Sequence, residues 1–180
     1  MLSSKEKQLL LKIAREAIVT FVKEGAIAQL RELTNVNLLV KQGCFVSIKI
    51  NGMLRGCIGN FISDKPLYQL VQEMAISAAT QDPRFYPMKK SELESFDVEI
   101  SVLSPLSKIS SIEEIVVGVH GIYLEKNFSR GVLLPQVAVE YGWDRDAFLS
   151  QTCIKAGLGK DEWQEGTDIY TFSAQIIKDN

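Results

Sequence analysis

Apolar positions along this chain recur with two different periods, and the points where the period changes mark its elements. After Ser3, the residues Leu9, Leu10, Ile13, Ala17, Ile18, Phe21 and Val22 share one face of a helix. Ser3 and Glu6 form a capping-box pattern at its start, and Gly25 supplies a stop. Residues 26–40 carry no clear period and read as loop with one short element. Strict alternation then appears over 44–50 and is taken up again over 53–58. The intervening Asn51-Gly52 is the strongest short-range signal for a two-residue hairpin turn. Pro66 suits a first helical residue, and Leu67, Leu70, Val71, Met74, Ala75 and Ala78 continue a helical stripe towards Gln81. Two prolines make 82–87 a loop.

Alternation returns over 96–103, with Val98, Ile100 and Val102 on one side and Asp97, Glu99 and Ser101 on the other. A short helix is expected over 111–115, and a second hairpin joins 119–124 to 131–134 around residues 126–130. Pro135 opens a short helix to Tyr141, Asp144 caps another that Gly157 ends, and 169–177 closes the chain as a strand. Strands in neighbouring hairpins with helices in separate blocks predict an α+β fold: a mostly antiparallel sheet with flanking helices. No repeat or linker divides the chain, so 1–180 reads as a single domain.

Composition narrows the class. Of 180 residues, 46% are hydrophobic and 23% charged, which excludes a disordered chain and gives enough apolar side chains for a sizeable core. Runs such as Val132-Leu133-Leu134 are far too short to cross a bilayer. The first residues lead straight into a charged helical pattern, so the cytoplasm is the expected compartment. With a net charge of −2 and no basic cluster, nucleic acid is not an expected partner. Cys44, Cys57 and Cys153 lack metal-ligand spacing and His120 is the lone histidine, so neither metal nor cofactor is expected. An odd cysteine count fits a reducing environment.

The stretch with chemical content is Leu54-Arg55-Gly56-Cys57-Ile58-Gly59. Glycines beside a thiol let a substrate or another backbone approach, and a nearby guanidinium favours the thiolate. A regular two-residue hairpin pairs Ile50 with Met53, Ile48 with Arg55 and Val46 with Cys57, which places Cys57 and Arg55 on an apolar face. Cys44 then lies on that face too, diagonal to Cys57 at about 7–8 Å, too far for an easy disulfide. Two readings of Cys57 stay open, a small buried hydrophobe and a nucleophile. Arg55 either binds a carboxylate ligand or pairs within the protein. His120, between Val119 and Gly121, is a candidate base or a structural ring. Asp82 and Arg84 sit in a loop, as site residues or as a local salt bridge or Asx turn.

Together these motifs resemble the AMMECR domain family. Leu54-Arg55-Gly56-Cys57-Ile58-Gly59 matches its hallmark hexapeptide, and Asp82-Pro83-Arg84-Phe85-Tyr86-Pro87 resembles its Asp-Ser/Pro-Arg-Phe-x-Pro loop. Val119-His120-Gly121-Ile122, Leu133-Leu134-Pro135-Gln136-Val137-Ala138, Gly142-Trp143-Asp144 and Cys153-Ile154-Lys155-Ala156-Gly157-Leu158 continue the likeness along nearly the whole chain. The resemblance implies a larger and a smaller lobe with the hexapeptide near the cleft between them. It also implies a pathway shared with a Memo-type protein and a radical S-adenosylmethionine protein, but no particular reaction. Two functions are therefore expected. The first is an enzyme with Cys57 as nucleophile, His120 as base, and Arg55, Gly56, Gly59, Asp82 and Arg84 around a small anionic substrate. The alternative is a non-enzymatic binding or scaffold module whose hexapeptide is structural.

Overall fold

Reciprocal capping sets where the first helix begins. In the computed structural model, which describes residues 2–179, the Ser3 hydroxyl accepts the Glu6 N–H at 3.4 Å. The Glu6 carboxylate accepts the Ser3 N–H at 2.8 Å in return. Helix α1 runs over Ser4–Glu24, and Gly25 ends it at φ 69°, a conformation that costs glycine little. Its buried stripe is Leu10, Ile13, Ala14, Ala17 and Ile18, while Leu9, Phe21 and Val22 lie half-buried beside it. The unpatterned stretch after it holds one short helix, α2 (Val36–Leu39).

Strands β1 (Cys44–Ile50) and β2 (Met53–Asn60) form the expected hairpin. Asn51 at φ 52° and Gly52 at φ 76° both take the left-handed conformation that two-residue turns of this kind demand. Helix α3 (Leu67–Thr80) follows, with Pro66 just outside its first turn, and β3 (Asp97–Leu103) returns beside β1. These elements, with the end of the last strand β7 (Asp168–Lys178), make up one of two compact units, residues 1–103 and 175–180. Its strand order is β2–β1–β3 with β7 beside β3. Helices α1 and α3 pack on one another, and α3 lies on β1 and β2. Val46, Ile48, Val98 and Ile100 meet the helix stripes in one apolar core. Burying each such side chain contributes about 1.5–3 kcal/mol.

The second unit, residues 104–174, has its own core. Strands β5 (His120–Lys126) and β6 (Ser129–Leu133) form a hairpin, β5 pairs with β7, and the short β4 (Ser107–Lys108) also pairs with β7. The turn is tighter than the sequence suggests: Lys126 pairs with Ser129, leaving only Asn127-Phe128 between the strands. Helices α4 (Pro135–Glu140) and α5 (Arg145–Lys155) cover this hairpin, α5 capped by an Asp144 carboxylate that accepts the Ala147 N–H at 2.8 Å. Phe148, Leu149 and Cys153 of α5 are fully buried against Ile122 and Leu124. The expected helix near 111–115 is a single 3₁₀ turn, Ile112–Glu114, and the pattern missed a 3₁₀ turn at Lys90–Glu94. Both units are antiparallel sheet with flanking helices, the predicted α+β class. Among the described residues no helix is long and apolar enough to cross a membrane.

Candidate functional site

A one-residue bulge decides which way the hexapeptide faces. Ile50 pairs with Met53 and Lys49 with Leu54, but Ile48 then pairs with Gly56, so Arg55 is the extra residue. A bulge moves every later side chain to the opposite face. Cys57 therefore lies across from Ser47, not Val46, and the expected apolar neighbours are replaced. Gly56 and Ile58 turn to the core side with Ile48 and Val46. Cys57 and Gly59 turn to the side of Ser47 and Phe45. The energetic reason is plain, since the regular register would drive a guanidinium against fully buried Val46 and Ile48. Cys44, fully buried on the core side, does not share the face of Cys57, and burial pushes its thiol up to about 12.

The glycines have different jobs from one another. A Cβ on Gly56 would sit 2.1 Å from the Ala78 carbonyl oxygen of α3, so the approaching group there is another backbone. The space beside Gly59 is filled by the Phe45 ring at 2.4 Å. Cys57 itself is half-buried, and the Ser47 hydroxyl donates to its sulfur at 3.1 Å. In the same row across the sheet, Ser47 pairs with Glu99. Burial pushes the Glu99 carboxyl up, but Lys49 at 2.9 Å and Lys178 at 3.2 Å outweigh it and hold it below its usual range.

Strand β2 is an edge, and its outward N–H at Cys57 has no strand to meet. The Asp82 carboxylate fills that need, accepting the Cys57 N–H at 2.9 Å. It also accepts the Arg84 backbone N–H at 3.1 Å, Arg84 Nε at 3.0 Å and Arg84 Nη2 at 2.7 Å. Asp82 is 4% exposed. The Arg84 guanidinium beside it holds its carboxyl well below the usual carboxylate range, against the opposing effect of burial, and the two backbone N–H groups add to the effect. The loop thus contains the Asx turn and local salt bridge together.

Arg55, freed by the bulge, reaches the same loop. Its Nε and Nη2 donate to the Glu92 carboxylate at 2.6 and 3.1 Å, and Nη2 also donates to the Tyr86 carbonyl at 2.9 Å. Hydrogen bonding to Arg55 holds the Glu92 carboxyl below its usual range, despite partial burial. Both guanidinium groups flank the Phe85 ring, Arg55 at 5.8 Å and Arg84 at 5.5 Å from its centroid. Arg55, Arg84, Phe85, Tyr86, Lys89 and Glu92 line an open cavity of about 470 Å³. Among the described residues, no hydrogen bond uses Nη1 of either arginine, and the Lys89 ammonium has no carboxylate within 4.0 Å.

His120 belongs to the second unit, at the start of β5. Its Nδ1 accepts the Val116 N–H at 3.2 Å and lies 3.1 Å from the Glu114 carbonyl, so the ring closes the turn before the strand. Gly118 takes φ 85° in that turn, and the space beside Gly121 is filled by the Phe172 ring at 2.3 Å. Among the described residues no three of His, Cys, Asp or Glu gather as a metal-ligand set. The sequence reading missed Ser47, Phe85, Tyr86, Lys89 and Glu92 as site residues. One cue was present: a register that buries an arginine is costly enough to argue for a bulge.

Comparison with known proteins places this geometry in context. The family model described as AMMECR1 matches residues 11–177. A protein of Methanosarcina barkeri is 40% identical over 187 aligned positions, covering 99% of this chain and 93% of that one. A protein of Methanothermobacter thermautotrophicus is 43% identical, covering 99% and 97%. The crystal structure of an uncharacterized protein from Pyrococcus horikoshii has the same fold, with a TM-score of 0.88 at 38% identity, covering 97% of this chain and 92% of that one.

Proposed function

The chain belongs to the AMMECR1 family, and from that footing we propose that it binds a small anionic ligand carrying a flat apolar group, in the cavity beside Arg84. The observation that carries this is the disposition of charge. Three cations line the cavity against one carboxylate, and each arginine spends two N–H groups on a protein carboxylate while its Nη1 stays unbonded. Phe85 and Tyr86, the latter 87% exposed, supply apolar walls. The hexapeptide on this reading is a scaffold: its bulge aims Arg55 at the loop, and the Cys57 N–H anchors Asp82.

The test is an NMR titration with benzoate and phenyl phosphate, using benzamide as the neutral control. The anions should shift the amide signals of residues 84–86, 88 and 89, and benzamide should not. Lys89→Ala, which removes a cation that has no carboxylate within 4.0 Å and acts on Glu92 only at longer range, should weaken binding about tenfold, some 1.4 kcal/mol. Equal binding by benzamide, or unchanged affinity in Lys89→Ala, would sink the proposal.

One observation favours a second reading, an enzyme with Cys57 as nucleophile. Cys57 is half-buried while Cys44 and Cys153 are fully buried, and Ser47 offers a reacting thiolate one donor at 3.1 Å. His120 as its base rests on the sequence motif alone. A pathway with a Memo-type protein and a radical S-adenosylmethionine protein, and a reducing cytoplasmic setting for three unpaired thiols, complete this proposal.

A further inference from the structure

The two exposed edges of the first unit's sheet are treated differently. On β2 the outward N–H at Cys57 is capped by Asp82. On β7 the pairing with β5 runs from Asp168 only to Ser173. Beyond that point β7 has β3 on one side, where the Asp179 N–H donates to the Val98 carbonyl at 3.2 Å. Among the described residues no strand pairs with Gln175–Lys178 on the other side. Backbone groups alternate in direction along a strand. Because Asp179 donates towards β3, the N–H and C=O of Ile176 and Lys178 point the open way. Ile176 is also exposed, at 38%.

Beside this edge lies a groove of about 580 Å³, lined by Lys7, Lys12 and Arg15 of α1 and by Ile176, Lys178 and Asp179 of β7. Its charge is opposite in sign to that of the chain, whose net charge is −2. Four cations line it with one carboxylate, but Arg15 holds Asp179, which also accepts the Val98 N–H at 2.9 Å, and Lys178 holds Glu99 at 3.2 Å, so the cations left for a ligand are those of Lys7 and Lys12. Lys7 has no carboxylate within 4.0 Å among the described residues, and Lys12 holds Glu16 only as an exposed pair at 3.7 Å, a weak interaction. A basic edge discourages pairing with a second copy of itself, which is one way proteins guard open strands. The same charges welcome a strand of opposite sign.

We propose that this face is a docking site for an extended acidic segment of a partner protein, which adds a strand along Ile176–Lys178 and lays its carboxylates against Lys7 and Lys12. Main-chain hydrogen bonds would give affinity and the lysines would give sign selectivity, as in other strand-addition complexes. This is independent of the ligand cavity beside Arg84, which shares none of these residues.

The experiment is fluorescence anisotropy with a labelled peptide of alternating Glu and Val, an all-Lys counterpart, and a Glu-Pro repeat that cannot supply a regular N–H ladder. The Glu-Val peptide should bind, the Lys peptide should not, and the Glu-Pro repeat should bind at least tenfold more weakly. The charge reversal Lys7→Glu/Lys12→Glu should weaken binding tenfold or more. Ile176→Pro removes only an outward donor, which a sheet edge tolerates, and should have a similar effect. Amide exchange at Ile176 and Lys178 in the unmodified protein should slow on binding, a readout that needs no variant. No binding, binding indifferent to the lysines, or unslowed exchange at those two amides would each overturn the proposal. The last of these, with loss in the charge-reversed variant, would mean a polyanion-attracting patch without strand addition.

Discussion

A buried carboxylate has about four lone-pair sites, and Asp82 meets four N–H donors, so it has nothing left for a ligand. Arg84 is its opposite: half of its side chain is exposed and one guanidinium nitrogen is unused. Two residues that the sequence grouped together as site candidates therefore separate into a structural anchor and a cation open to a ligand. The thiols separate in the same way. Burial holds the Cys44 thiol up near 12, so at pH 8 it stays protonated, and only the thiolate reacts. In native protein, iodoacetamide should modify Cys57 at least ten times faster than Cys44 or Cys153, as read by peptide mass spectrometry over time. If Cys57 reacts no faster than the same thiol in denatured protein, the nucleophile reading fails.

At the scale of elements, the bulge in β2 and the approach of α3 explain one another. With Gly56 on the core side, α3 comes close enough for the Ala78 carbonyl to occupy the place of a Cβ. Gly56→Ala forces either helix or strand to move, and should cost about 3 kcal/mol by overpacking. Gly52→Ala, where φ is 76° but no atom lies within 4 Å, should cost only about 1 kcal/mol. Urea denaturation of both variants checks the comparison. A Gly56→Ala protein no less stable than Gly52→Ala would mean that the hexapeptide glycine is not there for packing. The hairpins themselves were legible from Asn51-Gly52 and from alternation. Alternation could not show the bulge, because it assumes that no residue is skipped; its cue lay in the cost of burying Arg55.

For the whole molecule, the carboxylates of Asp82, Glu92 and Glu99 are all held below their usual range. A depressed folded value means that folding favours the ionised form. The resulting stability is fully present above about pH 5 and is lost as pH falls through the ordinary carboxylate range, near 4, towards the folded values. Scanning calorimetry should show a melting temperature that is flat from pH 7 to 5 and falls steeply below 4. Asp82→Asn should start less stable and fall less steeply. A variant curve parallel to the parent's would show that Asp82 contributes little to acid sensitivity.

Sequence alone determined the helices, the hairpins, the α+β class and the motif set, because caps, turn dipeptides and periods act between neighbours a few residues apart. Tertiary structure decided which face Cys57 takes, that Arg55 binds Glu92, and that glycines flanking both Cys57 and His120 accommodate protein groups. Those outcomes depend on desolvating an arginine and on the space left by α3 and the Phe45 and Phe172 rings, quantities set by segments distant in the chain.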